Sequence, residues 1–218
     1  MALTHAVYDL CAMPQYIEPL RSEAQAALAH GNGKWTSETI KKLRKLDSFL
    51  KESQRINQST FRKCIALIFQ HGYITDDHEV GFDRKVTSPI TLSNNTILPH
   101  GTSITMPGGP MARDPTYYSH PEAFDGLRFF RPDDESTNTQ QDYTGIEPGN
   151  LSWGSGRFTC PGRWYAAVMI KLVLAKLLCE FEIEFPGGQG ERPATVRYDT
   201  EVHPDMHQKI VLRRRTVA

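Results

Sequence analysis

A mainly α fold with small β-sheets, an α+β architecture, is what this 218-residue sequence predicts. Three observations predict it. Apolar residues recur at helical spacing in two segments between Tyr16 and Ile56. A second, almost uninterrupted apolar stretch, Arg163 to Glu180, has the length and composition of a buried helix. Elsewhere, runs such as Ile90-Thr-Leu92 and Phe181-Glu-Ile-Glu-Phe185 alternate as strands do, but are too short to build more than small sheets.

Taken in order, Ala2 to Ala12 reads as the end of a helix broken by Pro14. Tyr16 to Ala29 follows, with Ile17, Leu20, Ala24 and Leu28 on one face, and Gly31-Asn-Gly33 stops it. Thr36 or Ser37 caps the next helix, which the stripe Ile40, Leu43, Leu46, Leu50 carries to about Ile56. Thr87 to Pro99 predicts a hairpin turning at Ser93-Asn-Asn95, and Thr102 to Met106 a further strand. Arg131 to Pro148 is rich in Asp, Thr, Gln and Pro and predicts a loop without a packing signal. Arg163 to Glu180 is apolar nearly all round; with two lysines inside, it predicts a central core helix and not a membrane span. Phe181 to Phe185 and Lys209 to Arg213 predict the closing strands, with Pro186-Gly-Gly ending the first.

Composition excludes several classes. Lys plus Arg equals Asp plus Glu, 25 against 25, so nothing marks a nucleic-acid or polyanion partner. No apolar stretch is long enough to span a bilayer, and Met1-Ala-Leu-Thr-His carries no signal-peptide pattern. Four cysteines, Cys11, Cys64, Cys160 and Cys179, make no disulfide framework in a chain this long, which suits a reducing compartment. No Cys-x-x-Cys-His is present, which excludes covalent c-type haem. The eight histidines lack metal-ligand spacing and read as surface or loop residues.

One stretch stands apart: Trp153-Gly-Ser-Gly-Arg-Phe-Thr-Cys160-Pro-Gly162-Arg-Trp. Its glycines let the backbone turn tightly and approach a flat partner, because no Cβ intervenes. Pro161 and the apolar run put Cys160 just before a helix, where unpaired N–H groups and the helix dipole favour a thiolate. The residue reads either as a metal-ligating or nucleophilic sulfur, or as a small apolar filler at a helix start. A cysteine-nucleophile hydrolase needs a partner histidine and an oxyanion hole, and nothing near Cys160 suggests either. Glu52 and Arg55, three apart, share a helix face nearly opposite the leucine stripe, so periodicity alone predicts an exposed ion pair of little worth.

The string Trp153, Gly154, Gly156, Cys160, Gly162 resembles the haem-thiolate signature of cytochromes P450, F-x-x-G-x-[RH]-x-C-x-G. Trp153 stands for the usual Phe. Phe158 stands where Arg or His is commoner, and the neighbouring Arg157 carries the charge. Lys51-Glu-Ser-Gln-Arg55 resembles the family's E-x-x-R helix, and Ser119-His-Pro-Glu-Ala-Phe124-Asp-Gly-Leu-Arg128-Phe129 resembles its P-x-x-F-x-P-E-R-F. Met111-Ala-Arg113-Asp114-Pro115 resembles the common M-H-R-D-P, and residues 6–21 resemble the J-helix text of fungal members.

The resemblance implies that residues 1–218 are the C-terminal part of the P450 fold, with a buried triad of Glu52, Arg55 and Arg128. It implies a haem b (iron protoporphyrin IX) whose iron is ligated by Cys160, with Trp153, Gly154, Gly156, Arg157, Phe158 and Gly162 forming the haem loop and Arg62 (or Arg84) meeting a propionate. Thiolate donation promotes O–O cleavage, and the implied activity is a monooxygenase acting on a small hydrophobic substrate, as in fungal secondary metabolism. Asn57 to Thr60 and the loops near His203 to His207 fall at the family's substrate pocket. The implied electron donor is NADPH–cytochrome P450 reductase, docking on the basic face near Arg163. The resemblance places the full-length family at the endoplasmic reticulum membrane. The anchor, and the central helix that delivers protons to oxygen, have no counterpart in the text, so this chain is expected to be soluble or cytosol-facing and to hold no catalytic proton donor. The alternative expectation is therefore a truncated fragment or pseudogene product that at most binds haem. Finally, Arg62-Lys63 recurs as Arg84-Lys85 before Val86, so residues 64–85 are expected to be an insertion or a retained intron.

Overall fold

The structure, a computed structural model, describes residues 1–58, 80–132, 142–147, 149–188, 190–198 and 201–216. Arg62, Cys64 and most of the expected insertion lie outside the described residues. The described part is mainly helical with four two-stranded antiparallel sheets, a mixed α+β architecture.

Helix α1, Ala2–Ala12, is followed by a 3-10 turn at Pro14–Tyr16 and by α2, Ile17–His30. The exit from α2 uses left-handed backbone at Asn32 (φ 51) and Gly33 (φ 76), with the Gly33 N–H returning to Leu28 O at 2.9 Å. The single helix expected from Thr36 to Ile56 is two: α3, Ser37–Lys41, and α4, Arg44–Ile56. Thr36 and Thr39 close a reciprocal capping box on α3. The break has a physical cause in another helix. Glu23 of α2 accepts from the N–H groups of Lys45 (2.7 Å) and Leu46 (3.0 Å), so its carboxylate caps a fresh N-terminus.

Strand β1, Val80–Lys85, pairs with β4, Ser103–Pro107, and encloses the hairpin of β2, Ile90–Thr91, and β3, Ile97–Leu98. The last six residues of the expected insertion are thus a paired strand. A short α5, Gly108–Ala112, follows β4. The long α6, Arg163–Glu180, leads directly into β5, Phe181–Glu184, which pairs with the terminal β8, Val211–Arg214. Strands β6, Val196–Tyr198, and β7, Glu201–His203, form a separate hairpin.

The core joins Leu10 of α1, Leu20 and Ala24 of α2, Leu46, Phe49 and Leu50 of α4, and Leu174, Ala175 and Leu178 of α6. Three expectations are corrected here. The helix α6 is not buried all round: Ala167, Leu174, Ala175 and Leu178 face the core, whereas Tyr165 (74% exposed), Val168, Met169 and Val173 face outward. Both faces are apolar, so periodicity could not tell them apart. The stretch from Arg131 to Pro148 does carry a packing signal, since Tyr143 is 1% exposed in the core and edge-on to Trp153 at 5.3 Å. His5 is 1% exposed, not a surface residue; six of its neighbours along α1 are buried with it. Among the described residues, no helix is long and apolar enough to cross a membrane.

Candidate haem-thiolate site

The cysteine loop is built by its own backbone. Gly154 (φ +78) and Gly156 (φ +60) take left-handed conformations that L side chains rarely adopt, and a 3-10 turn at Gly156–Phe158 folds the chain back. The Cys160 N–H then donates to Trp153 O at 2.7 Å, closing the loop. Thr159 fastens the turn, its hydroxyl donating to Gly156 O at 2.7 Å. Trp153 anchors the loop's root, donating through Nε1 to Tyr143 O at 2.7 Å. Gly162 is the N-cap of α6, so Cys160 sits two residues before that cap. Arg163 reaches back and donates through Nη1 to Cys160 O at 2.9 Å.

The loop's outer surface is open. Cys160 is a free, half-exposed thiol. A Cβ built on Gly156 or Gly162 would meet nothing within 4 Å. Phe158 is 59% exposed and flanked by two cations, Arg84 at 4.4 Å and Arg157 at 5.0 Å from its centroid; Arg163 lies 3.3 Å from the Trp164 centroid. The structure therefore brings Arg84 of β1 to the cysteine loop. Among the described residues, no group of three or more His, Cys, Asp or Glu could hold a metal ion. A half-exposed thiol in a loop with open space at two glycines and with guanidinium and aromatic groups on its outer surface fits a flat, anionic macrocycle that takes one sulfur from the protein.

The second cluster surrounds α4. Arg55 grips Glu52 with two bonds of 2.8 Å, and Arg128 Nε lies 3.2 and 3.1 Å from the same two carboxylate oxygens. The side chains of Glu52 and Arg55 are 0% exposed, so the exposed pair that periodicity suggests is not what forms. The chain after α5 wraps over this face: Arg55 also donates to Ala112 O and Pro121 O, Arg128 to Ser119 O and Ala123 O, and the Asp125 N–H donates to Glu52. The network fixes one carboxylate, two guanidiniums and an irregular segment in one geometry.

Sequence reasoning missed three further polar clusters. Lys171 of α6 donates to Asp47 of α4 at 2.6 Å, and burial pushes the Asp47 carboxyl up while Lys171 pulls it back. Lys51 is 0% exposed, reaches Glu147 at 3.4 Å, and lies 4.5 Å from the Phe129 centroid; burial lowers its pKa. Asp9 of α1 accepts from Ser53 Oγ (2.5 Å), from Asn57 Nδ2 (3.3 Å) and from Arg192. The available signal was a charged residue inside an otherwise apolar helical run, as at Asp9 and Lys171.

The family model described as Cytochrome P450 matches residues 77–203. A cytochrome P450 monooxygenase of Emericella nidulans is 37% identical over 100% of this chain and 37% of its own length. An ent-kaurene oxidase of Gibberella fujikuroi is 36% identical over 100% of the chain and 40% of its own length. A cytochrome P450 monooxygenase of Penicillium paxilli is 35% identical over 99% and 37%. The chain belongs to the cytochrome P450 family. It spans about two fifths of the length of these relatives.

Proposed function

We propose that this chain is the C-terminal, haem-holding part of a P450 monooxygenase, with Cys160 as the protein ligand of the haem iron. The observation that carries the reading is the cysteine loop: a half-exposed thiol before α6, with open space over Gly156 and Gly162. When bound, the haem supplies dioxygen binding and the redox chemistry of monooxygenation, and a thiolate ligand favours O–O cleavage. The residues of this chain do the holding. Gly156 and Gly162 leave room for the ring, and Arg157 and Arg84 offer guanidiniums to its propionates. The Glu52–Arg55–Arg128 network braces the segment that passes beneath. Arg62, outside the described residues, is the alternative propionate partner. A small hydrophobic substrate of fungal secondary metabolism, electrons from an NADPH-dependent reductase, and residence of the whole protein at the endoplasmic reticulum belong to the same reading. It finds support in relatives named as monooxygenases and as an ent-kaurene oxidase.

Haem titration tests it. The expected result is saturable uptake by the wild-type chain with a ferric thiolate absorption spectrum, and loss of that spectrum in Cys160→Ala. Uptake that is indifferent to Cys160→Ala would overturn the assignment. We also propose that residues 64–85 are an inserted or retained-intron segment, because Arg62-Lys63 recurs as Arg84-Lys85 directly before Val86, so that joining Lys63 to Val86 leaves a continuous Phe-Arg-Lys-Val. Sequencing the transcript tests the retained-intron form: some messages lacking the segment are expected, and its presence in every spliced copy would exclude that form.

A further inference from the structure

The C-terminal arm is fastened to α1 at both of its ends. Upstream of β6, Arg192 donates through Nε to Asp9 Oδ1, and its Nη2 lies 2.8 Å from His5 Nδ1. The same guanidinium donates through Nη1 to Pro193 O at 3.2 Å and Thr195 Oγ1 at 3.1 Å, so it also shapes its own loop. Downstream of β7, the Tyr8 hydroxyl donates to the carbonyl oxygens of Asp205 (2.8 Å) and Gln208 (3.1 Å). His5, Tyr8 and Asp9 are all buried within little more than one turn of α1.

The two fastenings differ in kind. The downstream one is a neutral phenol on carbonyl oxygens. The upstream one is charged, and its geometry is committed to an arginine. A guanidinium only donates, so His5 Nδ1 must accept and the ring proton must sit on Nε2. That Nε2 is buried without a partner among the described residues, a cost with no return except the contact to Arg192. Asp9 is 1% exposed and already holds Ser53 and Asn57 at the end of α4. Arg192 therefore joins the arm to the place where α1 and the end of α4 meet. Its side chain is 22% exposed against 1% for Asp9, so it is the member that can leave.

We propose that Arg192, Asp9 and His5 form a latch that holds the root of the β6–β7 hairpin to α1, with Tyr8 as the fixed pin at the other end. Releasing the latch frees the hairpin while leaving residues 205–208 attached. The inference concerns the arm's attachment and stands apart from the haem reading.

Hydrogen–deuterium exchange of the full chain, followed by mass spectrometry, tests the latch. In Arg192→Gln, amides of Val196–Tyr198 and Glu201–His203 are expected to exchange at least about tenfold faster, with those of 205–208 and of α2 unchanged. In Tyr8→Phe the pattern is expected to reverse, with 205–208 loosened first. Arg192→Gln also strands a buried carboxylate, so the double variant Asp9→Asn/Arg192→Gln separates the two effects. It is expected to restore any lost protection in the core while the hairpin stays fast. Unchanged hairpin exchange in Arg192→Gln, or hairpin protection restored in the double variant, would overturn the proposal.

Discussion

Gly154 and Gly162 serve the cysteine loop in opposite ways, and substitution separates them. At Gly154, φ is +78 and a Cβ would stand 3.1 Å from Phe158 O, so Gly154→Ala strains the loop itself. The expected cost is about 1–2 kcal/mol in a urea melt, with or without haem. Gly162 has φ −85 and open space at its Cβ position, so Gly162→Ala should change stability by less than about 0.5 kcal/mol. Its effect belongs to the ligand: haem affinity is expected to fall because the methyl enters the space the ring would occupy. A Gly162→Ala chain with unchanged haem affinity would show that the ring does not lie there. Glu52 presents a different case, a buried carboxylate answering two arginines. Glu52→Ala leaves both guanidiniums without their counter-charge, and the expected loss is about 3–5 kcal/mol by denaturant titration.

Between helices, buried ion pairs act as registers. Lys171→Met strands Asp47 at the α4–α6 contact and is expected to cost about 3 kcal/mol, while Asp47→Leu/Lys171→Met should recover most of it. A double variant as unstable as the single one would mean the pair is not what aligns α6 on α4. The helices themselves were legible, because α2 repeats its apolar residues at helical spacing and stops at Gly31-Asn-Gly33, and α1 is broken before Pro14. The break between α3 and α4 was not, since the carboxylate that caps α4 comes from Glu23, 21 residues before Arg44 in another helix. Which side of α6 faces the core was hidden for another reason: valine, methionine and tyrosine occupy the outward side as readily as leucine and alanine the inward one. The cysteine loop was legible almost in full, because its folding is local, from the Trp153 carbonyl to the Cys160 N–H. The gathering of Arg84 onto Phe158 was not legible, as it depends on how β1 is placed; the text offered Arg84 only as an alternative to Arg62 for a propionate.

For the molecule as a whole, acid stability should carry the mark of His5. Burial first, then the charge of Arg192, hold its imidazole down from 6.5 to about 4. The unfolded chain therefore binds a proton that the folded chain refuses between those values, so stability falls as pH drops from about 6.5 through about 4. Asp9, Glu23 and Asp47 are raised by burial and act in the opposite sense, so the histidine's share is read from a difference. Urea midpoints of the wild type minus those of His5→Gln should decline across that window, and a flat difference would mean His5 is charged or exposed in the folded chain. The central claim is that this chain alone builds a haem-thiolate site around Cys160. Its most direct test is the difference spectrum of the dithionite-reduced, haem-loaded chain with and without carbon monoxide. The account predicts the red-shifted Soret band of thiolate ligation, abolished in Cys160→Ala. A band typical of histidine or neutral-thiol ligation, or no haem uptake, would contradict it.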